Sequence, residues 1–237
     1  MNGHDTHATP RKLAWTGVIA GSLVFLALAW LVRRGSLDGF DRSLLLAMRH
    51  ADDRDRALGP EWLREAAAEW TALGGYPIMA VLCLVAIVGF ALAGRRRAAF
   101  FATVSLAGGA LVSSGLKLLF ARPRPDLVEH LDKIFTSSFP SAHAMMSTVT
   151  YLTLAAMLAT VVERCRVTTF AFAVAGAIAV LVGVSRVYLG VHWPTDVVAG
   201  WGVGVAWASA CWLVADRLRA TRTIEEPMHM RAGATGA

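Results

Sequence analysis

Six stretches of this 237-residue chain run for about 20 residues with almost no charge, a length set by bilayer thickness rather than by a globular core. They are 13–32, 75–94, 98–120, 144–162, 167–189 and 194–215. A backbone in hydrocarbon must satisfy its own polar groups, so each run is expected as a helix. The fold class expected is all-α, a six-transmembrane-helix bundle. Composition agrees: 56% of residues are hydrophobic and 17% charged, where soluble proteins carry about 25% charge. The first run follows Arg11-Lys12 and ends at Arg33-Arg34 without a small-residue cleavage site. It reads as a retained span rather than a signal peptide.

The net charge of +6 would suit nucleic acid, but the basic residues punctuate apolar runs and form no patch interleaved with aromatics. No nucleic-acid partner is expected; the bilayer is the partner implied. Arg95-Arg96-Arg97, the basic loop at 163–166, and Arg217, Arg219 and Arg222 favour the cytoplasm by the positive-inside rule. Residues 1–12 then form a cytoplasmic tail, 13–216 the membrane domain and 217–237 a basic cytoplasmic tail. The stretches 33–74, 117–143 and 186–193 face outward from a plasma membrane of bacterial type, to the periplasm or exterior. Against this, 33–74 carries seven arginines, beside eight acidic residues that count for little in the rule. Cys83, Cys165 and Cys211 are scattered and fit neither a disulfide framework nor a zinc site. No metal and no cofactor are expected.

Within 33–74, Gly59-Pro60-Glu61-Trp62 reads as a helix start. Trp62, Ala66 and Trp70 then share one face. An interfacial helical segment at the outer face, between spans one and two, is one reading. An amphipathic helix packed on the bundle is the other, and the pattern does not separate them. Gly200 and Gly204 have the spacing of close helix packing, within the bundle or across a homodimer.

Three polar clusters sit at ends of apolar runs, where charge is costly unless paired or functional. Lys117 closes the third run, and Arg124 follows in the proline-stiffened segment Arg122-Pro123-Arg124-Pro125. Such residues are ordinarily snorkelling anchors, but lysine and a forked guanidinium also suit phosphate oxygens. Phe139-Pro140-Ser141-Ala142-His143 opens the fourth run as a capped helix start. Helix starts bind anions, Ala142 leaves room at the backbone, and His143 can move protons near neutral pH. Arg186 lies near the end of the fifth run, and Asp196 follows His192 by four residues across Pro194. That spacing lets the carboxylate fold back on the imidazole, fixing one ring nitrogen and leaving the other to attack. An Asp–His tie between a loop and a helix is the structural alternative. Together, three cations, an anion-binding helix start, two histidines and an orienting aspartate are the inventory for phosphoryl transfer.

At these residues the chain resembles the type 2 phosphatidic acid phosphatase superfamily, the lipid phosphate phosphatases. Its pattern is K-x6-R-P, P-S-G-H and S-R-x5-H-x3-D. Here it reads Lys117-x6-Arg124-Pro125, Pro140-Ser141-Ala142-His143 and Ser185-Arg186-x5-His192-x3-Asp196. All spacings match, and Ala142 in place of glycine is the one departure. The match spans about residues 75–215; residues 1–74 fit only loosely.

The resemblance implies a metal-independent membrane phosphatase acting on a lipid phosphate or diphosphate at the outer membrane face. Substrates of the undecaprenyl diphosphate, phosphatidate or phosphatidylglycerol phosphate type are expected. It implies that His192 attacks phosphorus and becomes a phosphohistidine, that Asp196 orients it, and that His143 protonates the leaving oxygen and then activates water. Lys117, Arg124, Ser141, Arg186 and the backbone at Ala142 would hold the phosphate oxygens. A phosphotransferase of the same superfamily is the nearest alternative. An anion or lipid transporter, using the cations as a binding ring, is the alternative of another class.

Overall fold

The computed structural model describes residues 5–127, 137–162 and 164–220. Among them are eight helices: α1 (Asp5–Arg33), α2 (Asp38–Leu46), α3 (Glu61–Ala72), α4 (Tyr76–Leu92), α5 (Arg96–Phe120), α6 (Ala142–Leu158), α7 (Cys165–Tyr188) and α8 (Pro194–Ala220). No strand forms among the described residues, so the fold is all-α; Arg49 and Ala57 make one isolated bridge. Each of the six apolar runs is mostly helical, although α4 and α6 stop short of theirs, at Leu92 and Leu158. The ends differ from the runs: α1 begins at Asp5 inside the expected tail, and α8 continues to Ala220. Backbone hydrogen bonds propagate past the apolar boundary into polar sequence, so helix ends and hydrocarbon edges need not coincide. The last part of the C-terminal tail, 221–237, and Glu163 of the basic loop lie outside the described residues.

Among the described residues, four helices are long and apolar enough to cross a bilayer: Thr9–Arg33, Arg96–Phe120, Cys165–Tyr188 and Pro194–Leu218. α3 and α4 pass together as a fifth span bent by 43°. α6 is shorter, at 17 residues. The outer helices present large apolar side chains outward, among them Leu23 at 61% exposed, Leu111 at 75% and Leu118 at 85%. In water such a surface would drive association; against lipid tails it is solvated.

α6 is the axis of the bundle and packs against α5, α7 and α8. Most of it is buried, including Ser147, Thr148, Thr150 and Thr153. Ser147 and Thr148 donate back to the Ala144 carbonyl at 3.2 and 2.7 Å, Thr150 donates to Met79 Sδ of α4 at 3.7 Å, and Thr153 meets Ser105 of α5 at 3.4 Å. Contact with α8 is backbone-close. A Cβ on Gly200 would stand 2.6 Å from the Ser141 carbonyl oxygen, and one on Gly204 2.8 Å from that of Met145. The Gly200/Gly204 spacing is thus used inside the bundle.

The ends of the elements follow from the chain. Ala121 takes a left-handed conformation (φ 43°) and closes α5 just before Arg122-Pro123. Ser141 caps α6, and its hydroxyl accepts from the Ala144 N–H at 3.5 Å. Proline at position 194 opens α8. Phe25 of α1, Phe120 and the fully buried Phe139 pack ring against ring with centroids 4.8–6.0 Å apart, holding the segment before α6 against α1 and α5.

α3 settles onto the bundle rather than standing apart from it. Ala67 is buried against Leu189 and Val191, and α3 packs on α7. The face turned inward carries Ala67, whereas Trp62 is 62% exposed.

Gly200→Ala should force α6 and α8 apart and cost about 1–3 kcal/mol. Gly89, whose Cβ would meet nothing within 4 Å, is the control. Thermal unfolding in detergent should show a lowered melting temperature for Gly200→Ala and none for Gly89→Ala.

Candidate active site

Helix ends alternate direction through the bundle, so the C-termini of α5 and α7 and the N-termini of α6 and α8 meet at one end. Lys117, Arg124, Ser141, Ala142, His143, Arg186, His192 and Asp196 all lie there. Arg186, His192 and Asp196 are at most 2% exposed, as are Ser138 and Ser141. His143, Lys117 and Arg124 are half-buried around them. His143 lies within electrostatic reach of Arg186, His192, Lys117 and Arg124, and Lys117 within reach of Arg124, Arg186 and Asp196.

Asp196 turns back on His192 as its spacing suggests, with Oδ2 3.5 Å from Nδ1. The Ser138 hydroxyl sits between them, donating a very short hydrogen bond to Asp196 Oδ2 and standing 3.4 Å from His192 Nδ1. The Trp193 N–H also donates to Oδ2, at 2.9 Å. The other ring nitrogen, Nε2, is 3.2 Å from Arg124 Nη1, which donates to the Val191 carbonyl at 2.6 Å. One imidazole nitrogen therefore faces a carboxylate and the other a cation.

Burial is the largest influence on His192 and holds its pKa down at about 4; Asp196 pulls the other way, and the Arg124 and Arg186 charges add to the lowering. The imidazole is therefore neutral near pH 7, the form with a lone pair to attack with.

The start of α6 is tied to α8. The Ser141 N–H donates to the Asp196 carbonyl at 2.9 Å, so it is not available to an anion. The first-turn N–H groups of Ala142 and His143 have no carbonyl behind them in the helix and are the ones left for an oxyanion. Arg186 is steadied from α3, where Thr71 Oγ1 accepts from Nη1 at 3.0 Å. The α3–α4 joint also touches His143: a Cβ on Gly74 would stand 3.5 Å from the imidazole Cδ2. Tyr151 pins the same joint by donating to the Leu73 carbonyl at 2.8 Å.

Several of these residues carry no sequence signal. Arg122 was part of the proline-stiffened segment, but its role was not legible. Its Nη1 donates to Asp196 Oδ1 at 2.7 Å and Thr195 Oγ1 at 2.9 Å; its Nη2 donates to Asp41 Oδ2 at 2.8 Å. Asp41 is one of the eight acidic residues in 33–74, and nothing in the sequence sets it apart. Ser138 precedes the Pro140-Ser141 helix start by two and three residues, where a serine passes for loop. A cavity of about 320 Å³ opens beside the site between α2 and the 122–126 segment, sharing Arg122, Arg124 and Trp193.

The sequence profile of the PAP2 superfamily matches residues 98–220. Phosphatidylglycerophosphatase B of Bacillus subtilis (strain 168) is 34% identical over 147 residues, covering 61% of this chain and 71% of that protein. Undecaprenyl-diphosphatase of Sulfolobus acidocaldarius is 68% identical over 31 residues, 13% of this chain and 15% of that protein. Among solved structures, a transmembrane PAP2 type phosphatidylglycerolphosphate phosphatase from Bacillus subtilis superposes with a TM-score of 0.75 at 26% identity, over 86% of this chain and 98% of its own. Aquifex aeolicus LpxE superposes with a TM-score of 0.52 at 23% identity, over 74% of this chain and 93% of its own, a likeness in fold.

The His192 environment has a consequence for acid stability. The unfolded chain takes up a proton near the ordinary histidine value of 6.5, whereas the folded imidazole waits until about 4. This costs nothing above about pH 6.5 and withdraws stability as pH falls from there to about 4. The drop in melting temperature between pH 7 and pH 5 should be smaller for His192→Gln than for the wild type.

Proposed function

The chain belongs to the PAP2 superfamily, and from that premise we propose that it is an integral membrane phosphatase that dephosphorylates a lipid through a phosphohistidine on His192. The observation that carries the reading is the division of the His192 ring: Nδ1 toward Asp196, Nε2 beside the Arg124 guanidinium. A phosphate drawn to Arg124 lies next to a neutral, oriented nitrogen lone pair.

Lys117, Arg124 and Arg186 neutralise the phosphoryl oxygens, and the N–H groups of Ala142 and His143 extend the cradle at the start of α6. The Ser141 hydroxyl oxygen serves as the helix cap and leaves its proton to donate. Nε2 of His192 forms the bond to phosphorus as the bond to the lipid oxygen breaks. His143, half-buried at the rim, enters the step as the imidazolium, a form the negative charge of the bound phosphate favours, and gives its proton to that oxygen. It then takes a proton from water, whose oxygen attacks the phosphohistidine and releases inorganic phosphate. No step in this scheme draws on a metal.

The substrate class we propose is a membrane lipid carrying a terminal phosphate or diphosphate. The relation to phosphatidylglycerophosphatase B favours phosphatidylglycerol phosphate, and the shorter match to undecaprenyl-diphosphatase keeps isoprenoid diphosphates in view. For topology we propose six spans, counting α4 and α6. Each has 17 residues, about 26 Å at 1.5 Å per residue against a hydrocarbon layer of about 30 Å. The membrane domain is 13–216, and the Arg95–Arg97 loop and basic C-terminus sit in the cytoplasm of a plasma membrane. The α5–α8 site then faces the exterior, with α3 near the outer headgroups.

Purified protein in detergent with EDTA should release phosphate from phosphatidylglycerol phosphate or an isoprenoid diphosphate, and vanadate should compete. His192→Ala should lose on the order of 10³-fold or more in kcat, and His143→Ala about 10²- to 10⁴-fold. An acid-labile, alkali-stable phosphoprotein should accumulate in His143→Ala and be absent from His192→Ala. Undiminished release by His192→Ala would remove the reading; transfer of phosphate to an alcohol in place of release would make the protein a phosphotransferase.

A further inference from the structure

Asp41 is a fully buried carboxylate outside the sequence motifs, on a short helix that the motifs do not include. α2 is held against α8 through Leu45, also fully buried, in a cluster with Val187, Trp193 and Val197. That seat brings Asp41 to the first turn of α8, where it accepts from the Thr195 N–H at 3.0 Å and the Thr195 hydroxyl at 2.6 Å. Its Oδ2 also takes Arg122 Nη2 at 2.8 Å. The opposite nitrogen of the same guanidinium holds Asp196 Oδ1 at 2.7 Å. Arg122 is thus a clamp between two carboxylates, one of which reaches His192. Burial works against the guanidinium charge, yet Asp196 and Asp41 outweigh it and raise the Arg122 pKa. Asp38 touches the same nitrogen at 3.5 Å but is 61% exposed, so water screens it.

The charges of this cluster can be counted. Asp41 and Asp196 are negative and Arg122 is positive, which leaves one net negative charge behind His192. As Nε2 bonds to phosphorus the imidazole becomes an N-phosphoimidazolium, and its positive charge spreads to Nδ1–H. A single negative charge behind Nδ1 stabilises that cation. A neutral cluster would not, and a doubly negative one would repel itself and recruit a proton.

We propose that Asp41 and Arg122 are positioning residues for dephosphorylation, which set the direction and net charge of Asp196 and through it the reactivity of His192. This rests on the reading of His192 as the nucleophile. Neither residue need touch the phosphate, so the effect falls on kcat rather than on KM.

The test is a charge-neutral cycle. Asp41→Asn makes the cluster neutral, Arg122→Gln makes it doubly negative, and the double variant returns it to one negative charge. Turnover is measured on phosphatidylglycerol phosphate per folded protein, taken from the monodisperse size-exclusion peak, with the melting temperature recorded for each. Each single variant should lose roughly 10- to 100-fold in kcat, the scale known for residues that orient metal-bound histidines. KM should stay within about threefold. The double variant should turn over faster than either single, although it lacks more native hydrogen bonds than either. Should Arg122→Gln fail to fold, the comparison of the double with Asp41→Asn alone carries the same test. A double variant no faster than Asp41→Asn, or Asp41→Asn indistinguishable from wild type, overturns the proposal while leaving His192 as nucleophile. Turnover surviving in His192→Ala overturns the nucleophile itself, and this inference with it.

Discussion

A buried carboxylate governs the geometry of this end of the protein. Asp196 is 0% exposed at the start of a membrane helix, where an unpaired charge would cost several kcal/mol. It persists because separate parts of the chain converge to satisfy it. Arg122 comes from the segment after α5, Ser138 from the segment before α6, and Trp193 and His192 from the turn between α7 and α8. Its own backbone carbonyl receives the Ser141 N–H and anchors the start of α6. The ends of four helices are thereby gathered on one residue. The constraint that lowers the cost of burying the charge is the same one that orients the imidazole.

The rest of the bundle is arranged so that this cluster can exist. α6 carries hydroxyls where a helix facing lipid would carry leucines, and it is shielded by α5, α7 and α8. Close approach at Gly200 and Gly204 brings the first turns of α6 and α8 near enough for the Ser141–Asp196 bond. A side chain there would widen the gap and separate the start of α6 from the turn that carries His192. α3 and the turn after it contribute from outside the motifs, through Thr71 on Arg186 and Gly74 against His143.

The seven arginines of 33–74, which oppose the orientation by charge, have structural work in several cases. Arg33 stacks on Phe120 with its guanidinium carbon 4.9 Å from the ring centroid, and Arg34 on Trp30 at 3.9 Å. Arg49 is buried and donates to the Tyr188 carbonyl at 2.8 Å, tying the loop before α3 to the end of α7. Arginines engaged in this way are poor reporters of topology, because the positive-inside rule describes charges left to choose their side.

Much was legible from the chain alone. The bilayer sets a length, so the apolar runs could be read as helices from their extent, and the family could be read from three spaced motifs. Local chemistry did the rest: proline opens α8, serine caps α6, and a four-residue spacing returns Asp196 to His192. What spacing could not reach was everything joined across the bundle. Asp41 and Arg122 are 81 residues apart, Thr71 and Arg186 115, and no period or cap marks them as neighbours. Nor could the Trp62, Ala66, Trp70 face foretell that α3 turns Ala67 toward α7, because an amphipathic pattern does not name the surface it meets. The sequence by itself determined the helices and the three spaced motifs that mark the family. Only the tertiary structure decided which buried charges share a guanidinium, because that depends on helix packing distances that small residues far apart in the chain set together.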